Sequence, residues 1–447
     1  MPSVCLYFQV HQPCRLRRYC FFDVGSIHNY EDETENRRIL DRVAEKCYLP
    51  ANTLLLRLIE QYGGAFRVAF SLSGVLLDQM ERRRPDVLES FQRLAATGCV
   101  EFLNETDSHS LAFLFSQREF RAQVFRHRDR IRSLFGQEGR TFRHTELIYS
   151  DALAAAVEKM GYRTILAEGT EKIIGRRSPN LVYRPTGCKK LKLLLRNYRL
   201  SDDVAFRFSD RNWAEYPLTA AKYAHWLHRI RREEAVVNLF MDYETFGEHQ
   251  WRETGIFAFL RELPGEILRH PNFRFQTPAE AAAAHEATSE IACRDFISWA
   301  DEERDTTAWL GNAMQQDAAG KLYALEAAVR RRKDEELLRI WRILQTSDHL
   351  YYMCTKWFSD GDVHRYFNPF ESPYEAYINY MNIIDDLSRL VKNDDSVKSR
   401  KSTTDVIPAN PGSESGTGAG IQKYHMVRKA LDPGFRRGDD FLRGHQK

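Results

Sequence analysis

Residues 3–10 read SVCLYFQV, a short apolar run that ends in the polar sequence His11-Gln12-Pro13. Six further β-rich runs follow, separated by segments with helical spacing; the runs lie at residues 66–72, 99–103, 141–145, 162–166, 191–195 and 235–241. Strands that alternate with helices long enough for right-handed crossovers predict a parallel sheet. Seven or eight such units within roughly 280 residues predict a barrel of the TIM type or a close relative, with residues 273–275 as a weaker eighth strand.

The pattern changes after this barrel-like part. Thr277-Pro278-Ala279-Glu280 has a cap residue, a proline at the first helical position and a glutamate at the third, and Ser372-Pro373-Tyr374-Glu375 repeats this signature. Helix-forming segments without strand-like runs lie between them. We therefore predict a barrel domain at residues 1–279, a helical domain at 280–392 and a disordered tail at 393–447. The tail lacks hydrophobic periodicity, and residues 410–418 have the composition of a linker.

The composition argues against several classes of protein. Lys and Arg number 65 and Asp and Glu 62, a net charge of +3, without the basic face expected of a nucleic-acid-binding protein. No stretch offers the roughly 18 consecutive apolar residues of a membrane span, and no signal peptide precedes the first run. The eight cysteines are scattered without a CxxC pair, as reduced thiols would be. We expect a cytoplasmic protein whose partners include neither nucleic acid nor membrane.

Four of the apolar runs lead into polar residues that can act as acids, bases or ligands. In parallel β/α barrels the active site lies at the C-terminal ends of the strands, because the loops that follow the strands converge there. Imidazoles, carboxylates and an arginine recur at these ends, so we expect them to meet in one cleft. The candidates are His11, Glu101, His109, Arg143, Glu146, Asp242 and Glu244.

Two chemistries use such a set: metal-assisted hydrolysis, and glycoside cleavage by paired acids. The metal hypothesis is weak because the sequence has no HExxH and no HxxxH after a strand, and we expect His225 and His228 to have ordinary helix-surface roles. The paired-acid hypothesis fits better, because Glu146 and Asp242 each close a strand. Glu244, two residues further, would share the strand face of Asp242 and raise its pKa; the alternative is that either acid caps a helix or pairs with an arginine.

Four segments carry a family resemblance: VCLYFQVHQP at 4–13, GCVEFLNETDSHSL at 98–111, FRHTELIYSD at 142–151 and FMDYETFGEHQW at 240–251. In order and approximate spacing they resemble the first four sequence regions of glycoside hydrolase family 57, most closely its α-amylase branch. A later segment, TSDHLYYM at 346–353 with Trp309 upstream, is similar to the region that the helical domain contributes. The resemblance covers about residues 3–390.

The resemblance implies a retaining enzyme on an incomplete (β/α)7 TIM-like barrel, with an all-α C-terminal domain that completes the cleft. By the same matching, Glu146 corresponds to the nucleophile and Asp242 to the general acid/base. The other matches, as residues that bind substrate in the cleft, are His11, Glu101, His109 and, from the helical domain, Asp348. Most of the family needs no metal for the chemistry, so no cofactor is expected.

Three further residues are predicted to contribute to substrate binding. Arg143 would favour the ionised form of Glu146. Trp251 and Trp309 are candidate stacking platforms for a sugar ring, or core residues. The expected substrate is an α-1,4-linked glucan such as maltodextrin or a glycogen-like polymer. A 4-α-glucanotransferase, a branching enzyme and a non-catalytic carbohydrate-binding homologue remain alternatives, and a metal-dependent deacetylase is a more distant one.

Overall fold

The computed structural model describes residues 1–231, 233–356 and 368–400, of which 393–400 are described by backbone alone. Every predicted run forms a strand whose ends lie within two residues of the predicted ones. The strands are β1 (Ser3–Val10), β2 (Val68–Leu72), β3 (Val100–Phe102), β4 (Thr141–Arg143), β5 (Thr164–Glu168), β6 (Val182–Pro185), β7 (Lys192–Arg196), β8 (Val236–Asp242), β9 (Arg274–Phe275) and β10 (Ser289–Ile291).

The seven predicted strands follow the chain order around an incomplete barrel. One sheet runs in the order β3-β2-β1-β8, and the other includes β7-β5-β4; neighbours within these series are parallel. A single parallel bridge between Asn104 and Phe142 joins the end of β3 to β4. The weaker eighth strand is present as β9, which pairs with the start of β1. The prediction of a (β/α)7 barrel-like fold is confirmed.

The barrel is incomplete between β7 and β8 because another strand occupies part of this edge. β6, which the sequence did not predict, pairs antiparallel with β7 at Leu193 and Leu194. Beyond that point the wall is held by individual bonds: Asn197 N donates to Asn238 O at 2.9 Å, and Arg196 Nε to Phe240 O at 2.7 Å. β6 ends in a proline and is four residues long, too short for its pattern to stand out.

Both faces of β1 are buried, which explains its uninterrupted apolar sequence. Val4, Leu6 and Phe8 belong to the large outer core beneath the surrounding helices. Cys5 and Tyr7 point the other way, into a smaller cluster that fills the barrel interior with residues such as Phe240.

Helices connect the strands of the barrel, and further helices form the C-terminal part. Those between the strands, with one after β9, are α1 (Glu33–Val43), α2 (Leu49–Gln61), α3 (Gly74–Arg83), α4 (Pro85–Ala96), α5 (Ala112–Phe115), α6 (Gln117–Phe135), α7 (Asp151–Lys159), α8 (Glu171–Ile174), α9 (Tyr198–Ala205), α10 (Ala220–His228), α11 (Ile256–Leu268) and α12 (Pro278–Ala284). The C-terminal helices are α13 (Thr307–Leu310), α14 (Ala313–Ala324), α15 (Glu326–Arg332), α16 (Glu335–Ile343), α17 (Ser347–Tyr351) and α18 (Pro373–Arg400). Among the described residues, none of these is long and apolar enough to cross a membrane.

The helical part has its own core, which includes the buried Trp309 and Trp341. The sequence did not predict β10, which lies inside the region predicted to be helical and pairs parallel with β6. Residues 1–397 form one compact unit, so the boundary at 279/280 stays a prediction. α18 continues eight residues beyond the predicted end at 392. The rest of the predicted tail, residues 401–447, lies outside the described residues.

Candidate active site

The loops at the C-terminal ends of the barrel strands bring together a set of acids and imidazoles. We call it the acid–histidine cluster. Its members are His11, Glu105, His109, Arg143, Glu146, Asp242, Trp299 and Asp348, which hydrogen bonds, ion pairs, ring contacts and mutual electrostatic effects connect.

Glu146 lies just after β4 in an unusual backbone conformation. Its φ is 58° and that of Leu147 is 50°, and each left-handed non-glycine residue costs about 1–2 kcal/mol. Neighbouring backbone stabilises the turn, since Trp299 N donates to Glu146 O at 3.2 Å. The strained turn directs the carboxylate into the cluster, where it accepts hydrogen bonds from three side chains: His109 Nε2 at 3.3 Å, Ser347 Oγ at 3.3 Å and Trp299 Nε1 at 2.8 Å.

These surroundings keep Glu146 ionised. Burial raises its pKa, but the hydrogen bond and charge of His109, together with the charge of Arg143, outweigh burial and leave the pKa below its usual value. A carboxylate that is ionised and desolvated has the state that a nucleophile requires.

Asp242 is the last residue of β8 and has the opposite environment. Within the part of the chain that the structure describes, its carboxyl has no side-chain hydrogen bond. Burial, followed by the negative charge of Glu146, raises its pKa to about 6. The two carboxyls therefore affect each other, and Asp242 remains protonated to higher pH than an ordinary aspartate.

Two stacked imidazoles lie beside the acids. The rings of His11 and His109 are 3.9 Å apart at 18°. Burial lowers the pKa of His109, but the carboxylate of Glu105, whose Oε2 is 2.7 Å from Nδ1, and that of Glu146 together raise it to about 9. Burial and the charge of His109 lower the pKa of His11. The structure thus pairs an imidazolium, which supports Glu146, with a neutral imidazole.

The helical part contributes to the cluster through α17. Asp348 Oδ2 lies 3.0 Å from His11 Nε2, and Ser73 Oγ lies 2.6 Å from His11 Nδ1. Burial raises the pKa of Asp348, but His11 and His109 hold it well below its usual range. The side chains of His11 and Asp348 retain 12% and 22% exposure, so a sugar hydroxyl can reach them.

The acid predicted from the second motif is at the wrong position. Glu101 lies in the middle of β3, and its Oε2 accepts a hydrogen bond from Ala279 N at the start of α12, not from the cluster. The acid that pairs with His109 is Glu105, which also accepts from Ser71 Oγ at 2.6 Å. Because β3 ends at Phe102, the loop residue Glu105 reaches the strand-end site and Glu101 does not. The spacing of four residues between Glu105 and His109 was the sequence signal that could have identified Glu105.

The prediction that Glu244 shares the strand face of Asp242 is also wrong. Residues 243–245 form a 3-10 turn, so the alternation of strand faces ends at Asp242. Glu244 turns away to accept hydrogen bonds from Tyr48 Oη and from Gln12 Nε2, the latter at 3.4 Å. Burial and the charge of Asp242 raise its own pKa to about 8, so at neutral pH it is largely uncharged.

The two predicted tryptophan platforms have different positions. Trp309 is 1% exposed and belongs to the helical core, so it cannot stack on a sugar. Trp251 is 63% exposed in the loop after β8, and its role as a platform stays a prediction. Trp299, which the sequence reasoning missed, contacts Glu146 directly. Trp299 follows α12 in a segment without hydrophobic periodicity, so the rule that active-site residues follow strand ends could not have selected it.

Arg143 is fully buried, as a charge beneath the acids. Its Nη1 lies 3.9 Å from Glu105 Oε2, its guanidinium lies 5.1 Å from the ring centre of Trp299, and its three nitrogens have no hydrogen-bond partner among the described residues. It acts through its charge, as the sequence predicted for its effect on Glu146.

Metal-assisted hydrolysis is the alternative chemistry that the sequence raised. No group of three or more His, Cys, Asp or Glu side chains within the described ranges is arranged to hold a metal ion. His228, one of the two helical histidines, is instead within hydrogen-bonding distance of a backbone carbonyl, with Nε2 3.0 Å from Ile267 O.

A family model and a curated relative match the chain that carries this cluster. The model described as glycosyl hydrolase family 57 matches residues 5–294. A "Putative alpha-amylase" of Methanocaldococcus jannaschii is 44% identical over 398 residues, which cover 86% of this chain and 84% of that protein. The chain belongs to glycosyl hydrolase family 57. It is therefore a glycoside hydrolase.

Solved structures extend the likeness of this family 57 chain to remote relatives. The 4-alpha-glucanotransferase of Thermococcus litoralis has a TM-score of 0.57 at 15% identity; the match covers 88% of this chain but only 60% of that longer one. A family 57 branching enzyme of Thermococcus kodakaraensis, solved with glucose, has a TM-score of 0.62 at 14% identity, over 79% of this chain and 86% of that one. At such identities the likeness shows the fold alone.

Proposed function

We propose that this family 57 protein is a retaining enzyme of the α-amylase type, which cleaves α-1,4-glucosidic bonds of maltodextrin- or glycogen-like α-glucans. The observation that carries the proposal is the contrast between two interacting carboxyls. Glu146 has a pKa below its usual value, whereas that of Asp242 is raised to about 6. Retaining glycoside hydrolysis needs one carboxylate as nucleophile and one carboxylic acid as proton donor.

In the first step Glu146 attacks the anomeric carbon while protonated Asp242 donates its proton to the glycosidic oxygen. The bond between that carbon and the departing oxygen breaks, and its electron pair leaves with the oxygen. The products are a glycosyl ester on Glu146 and a shortened glucan with a new hydroxyl.

In the second step the same aspartate acts as a base. Esterification removes the negative charge of Glu146, which is one of the causes that raise the pKa of Asp242. The pKa of Asp242 therefore falls, so the aspartate stays ionised after it has given up its proton. As a base it then takes a proton from the attacking water, whose oxygen bonds to the anomeric carbon. The bond to Glu146 breaks, the electron pair returns to the carboxylate, and two inversions leave the anomeric configuration retained.

We assign substrate contacts to the partly exposed side chains at the edge of the cluster. The ionised carboxylate of Asp348 can accept hydrogen bonds from sugar hydroxyls, and the imidazole of His11 can donate to or accept from them. Trp251 offers an exposed ring on the β8 side. Because Asp348 lies in α17, both the barrel and the helical part would contribute to the cleft. We also propose a cytoplasmic location, which the absence of disulfides among the eight cysteines, all in the described residues, supports.

The test is product analysis with maltoheptaose as a defined substrate. The proposal predicts shorter maltooligosaccharides, and NMR of the earliest products should show the α-anomer before mutarotation. A β-anomer would contradict the retaining mechanism. A ladder of longer α-1,4 products would instead indicate glucanotransferase activity, and new α-1,6 linkages a branching enzyme. Measurable binding without turnover would indicate a non-catalytic homologue.

A further inference from the structure

Trp299 lies in a tightly closed loop that has no role in the proposed mechanism. The loop, residues 298–307, closes on itself, since Ser298 N donates to Arg304 O at 3.2 Å and Ser298 Oγ to Asp305 O at 2.6 Å. Two of its non-glycine residues, Asp301 and Arg304, have left-handed backbone, with φ of 56° and 49°. Such conformations persist only where the surroundings impose them, and they concentrate at functional sites.

The loop contacts the proposed nucleophile twice. Trp299 N donates to the carbonyl oxygen of Glu146 at 3.2 Å, and Trp299 Nε1 donates to Glu146 Oε2 at 2.8 Å. The other carboxylate oxygen, Oε1, accepts from His109 and Ser347 instead. Trp299 is therefore the only described side chain that donates to Oε2, and its bond is the shortest of the three. A hydrogen bond of this kind fixes the rotation of the carboxylate and favours its ionised form.

A ring of four charged side chains attaches the loop to the barrel. We call it the ionic clasp, and it consists of Glu168, Arg196, Asp202 and Arg304. Glu168 Oε2 lies 3.1 Å from Arg196 Nη1 and 3.3 Å from Arg304 Nη1. Asp202 completes the ring, 2.5 Å from Arg196 Nη2 and 3.5 Å from Arg304 Nη2.

The clasp reaches Trp299 through Arg304 and Arg196. The Arg304 guanidinium also donates to the backbone oxygen of Trp299, and the Arg196 guanidinium lies 5.7 Å from its ring centre. Glu168 is fully buried and Arg196 is 4% exposed, so the ring carries a desolvation cost that apolar packing would avoid.

We infer that Trp299 is a positioning residue for Glu146 and that the ionic clasp holds its indole N–H at the carboxylate through the catalytic cycle. The inference rests on the proposed role of Glu146 as nucleophile. It extends the active site to a segment between the barrel and the helical part that none of the sequence motifs includes.

The test is Trp299→Phe, which keeps an aromatic ring beside Arg143 and Arg196 but removes the N–H donor. We expect kcat on maltoheptaose to fall by about 10- to 100-fold with little change in KM, because a hydrogen bond to a charged group is lost. The acidic limb of the kcat profile should move up by about one pH unit, because the ionised form of Glu146 loses a donor. The charged groups that otherwise face Glu146, namely His109, Arg143, Asp242 and Asp348, stay unchanged.

Trp226→Phe on α10 is the matched control. Trp226 packs beside Trp213 and Tyr223, away from the acid–histidine cluster. The kcat and pH profile of this variant should therefore match those of the wild type. A Trp299→Phe variant with wild-type kcat and an unmoved acidic limb would overturn the inference. No turnover by the wild type would instead overturn the proposed function, so the two failures are distinguishable.

The clasp has its own test, which also serves if Trp299→Phe does not fold. Arg304→Met should lower kcat and move the acidic limb in the same direction by a smaller amount, and Arg304→Lys should recover part of both effects. Arg269→Met, an exposed arginine paired with Glu266 on α11, is the control and should change neither. If Arg304→Met lowers only the melting temperature and leaves kcat and the limb unchanged, the clasp is merely structural and the inference fails.

Discussion

The ends of β4 and β8 present two carboxyls of similar chemistry in different surroundings. After β4, Glu146 lies on a strained left-handed turn and accepts hydrogen bonds from three side chains. At the end of β8, Asp242 continues the regular strand and, among the described residues, receives no side-chain hydrogen bond. Donors and nearby cations hold the pKa of the first below its usual value, whereas burial and the charge of the first raise the pKa of the second to about 6.

The environment, not the type of acid, therefore separates the two roles. The carboxyl that accepts three hydrogen bonds becomes the proposed nucleophile. The other becomes the proposed acid, because burial and the neighbouring anion outweigh the charges of Arg143, Arg196 and His109 and raise its pKa. The following predictions test that division.

Glu146→Gln should have the largest effect. The amide keeps the shape of the side chain but cannot form the glycosyl ester, so turnover of maltoheptaose should fall by about 10⁴-fold or more. The melting temperature, followed by circular dichroism, should change little. Glu290→Gln, at an exposed position of β10, is the control for the substitution itself. Substantial activity in Glu146→Gln would show that the nucleophile is another residue.

Asp242→Asn should have the next largest effect, and the effect should depend on the leaving group. Loss of the general acid should lower turnover of maltoheptaose by about 10²- to 10⁴-fold. An aryl maltoside with an acidic phenol leaves without protonation, so its first step, measured as the burst of phenol, should be much less affected. Glu146→Gln should show no such recovery. If the phenol burst falls as far as maltoheptaose turnover, Asp242 is not the acid.

The pH dependence of the wild type should show the same division at a smaller scale. Asp242 must be protonated to act, so kcat/KM should fall about tenfold per pH unit above a midpoint near 6. Glu146 must be ionised, so the acidic limb should lie below the usual pKa of a glutamate. Initial rates between pH 3 and about 9 measure both limbs. A basic limb well above 8 would contradict the proposed proton donor.

Glu244→Gln should have the smallest effect. The pKa of Glu244 is raised to about 8, so the carboxyl is already neutral where the enzyme would work, and the amide reproduces its shape. We expect kcat/KM within about threefold of the wild type and an unmoved basic limb. A basic limb that moves to lower pH in this variant would restore the sequence-based role of Glu244 as the charge that supports Asp242.

Much of the fold could be predicted because its signals are local. The uninterrupted apolar run of β1 reflects a strand buried on both faces, and the rule that active sites form at strand ends selected Glu146 and Asp242. β6 was missed because a four-residue strand leaves almost no periodicity.

Errors in the site arose where the direction of a side chain depends on where its strand ends. Glu101 and Glu105 are glutamates of the same motif, so residue type does not distinguish them. Because β3 ends at Phe102, only Glu105 reaches His109. Glu244 was placed by strand alternation, which a 3-10 turn interrupts after Asp242.

The parallel barrel, the helical C-terminal part and the two acids could be predicted from the order of residues, because hydrophobic period and strand-end position are properties of neighbouring residues. The environment of each acid, in contrast, depends on residues that folding brings together. The pKa of Asp242 depends on Glu146, 96 positions earlier, and the carboxylate of Glu146 depends on Trp299, 153 positions later. Burial and charge act through space over a few ångströms, so a local sequence pattern cannot predict their effects.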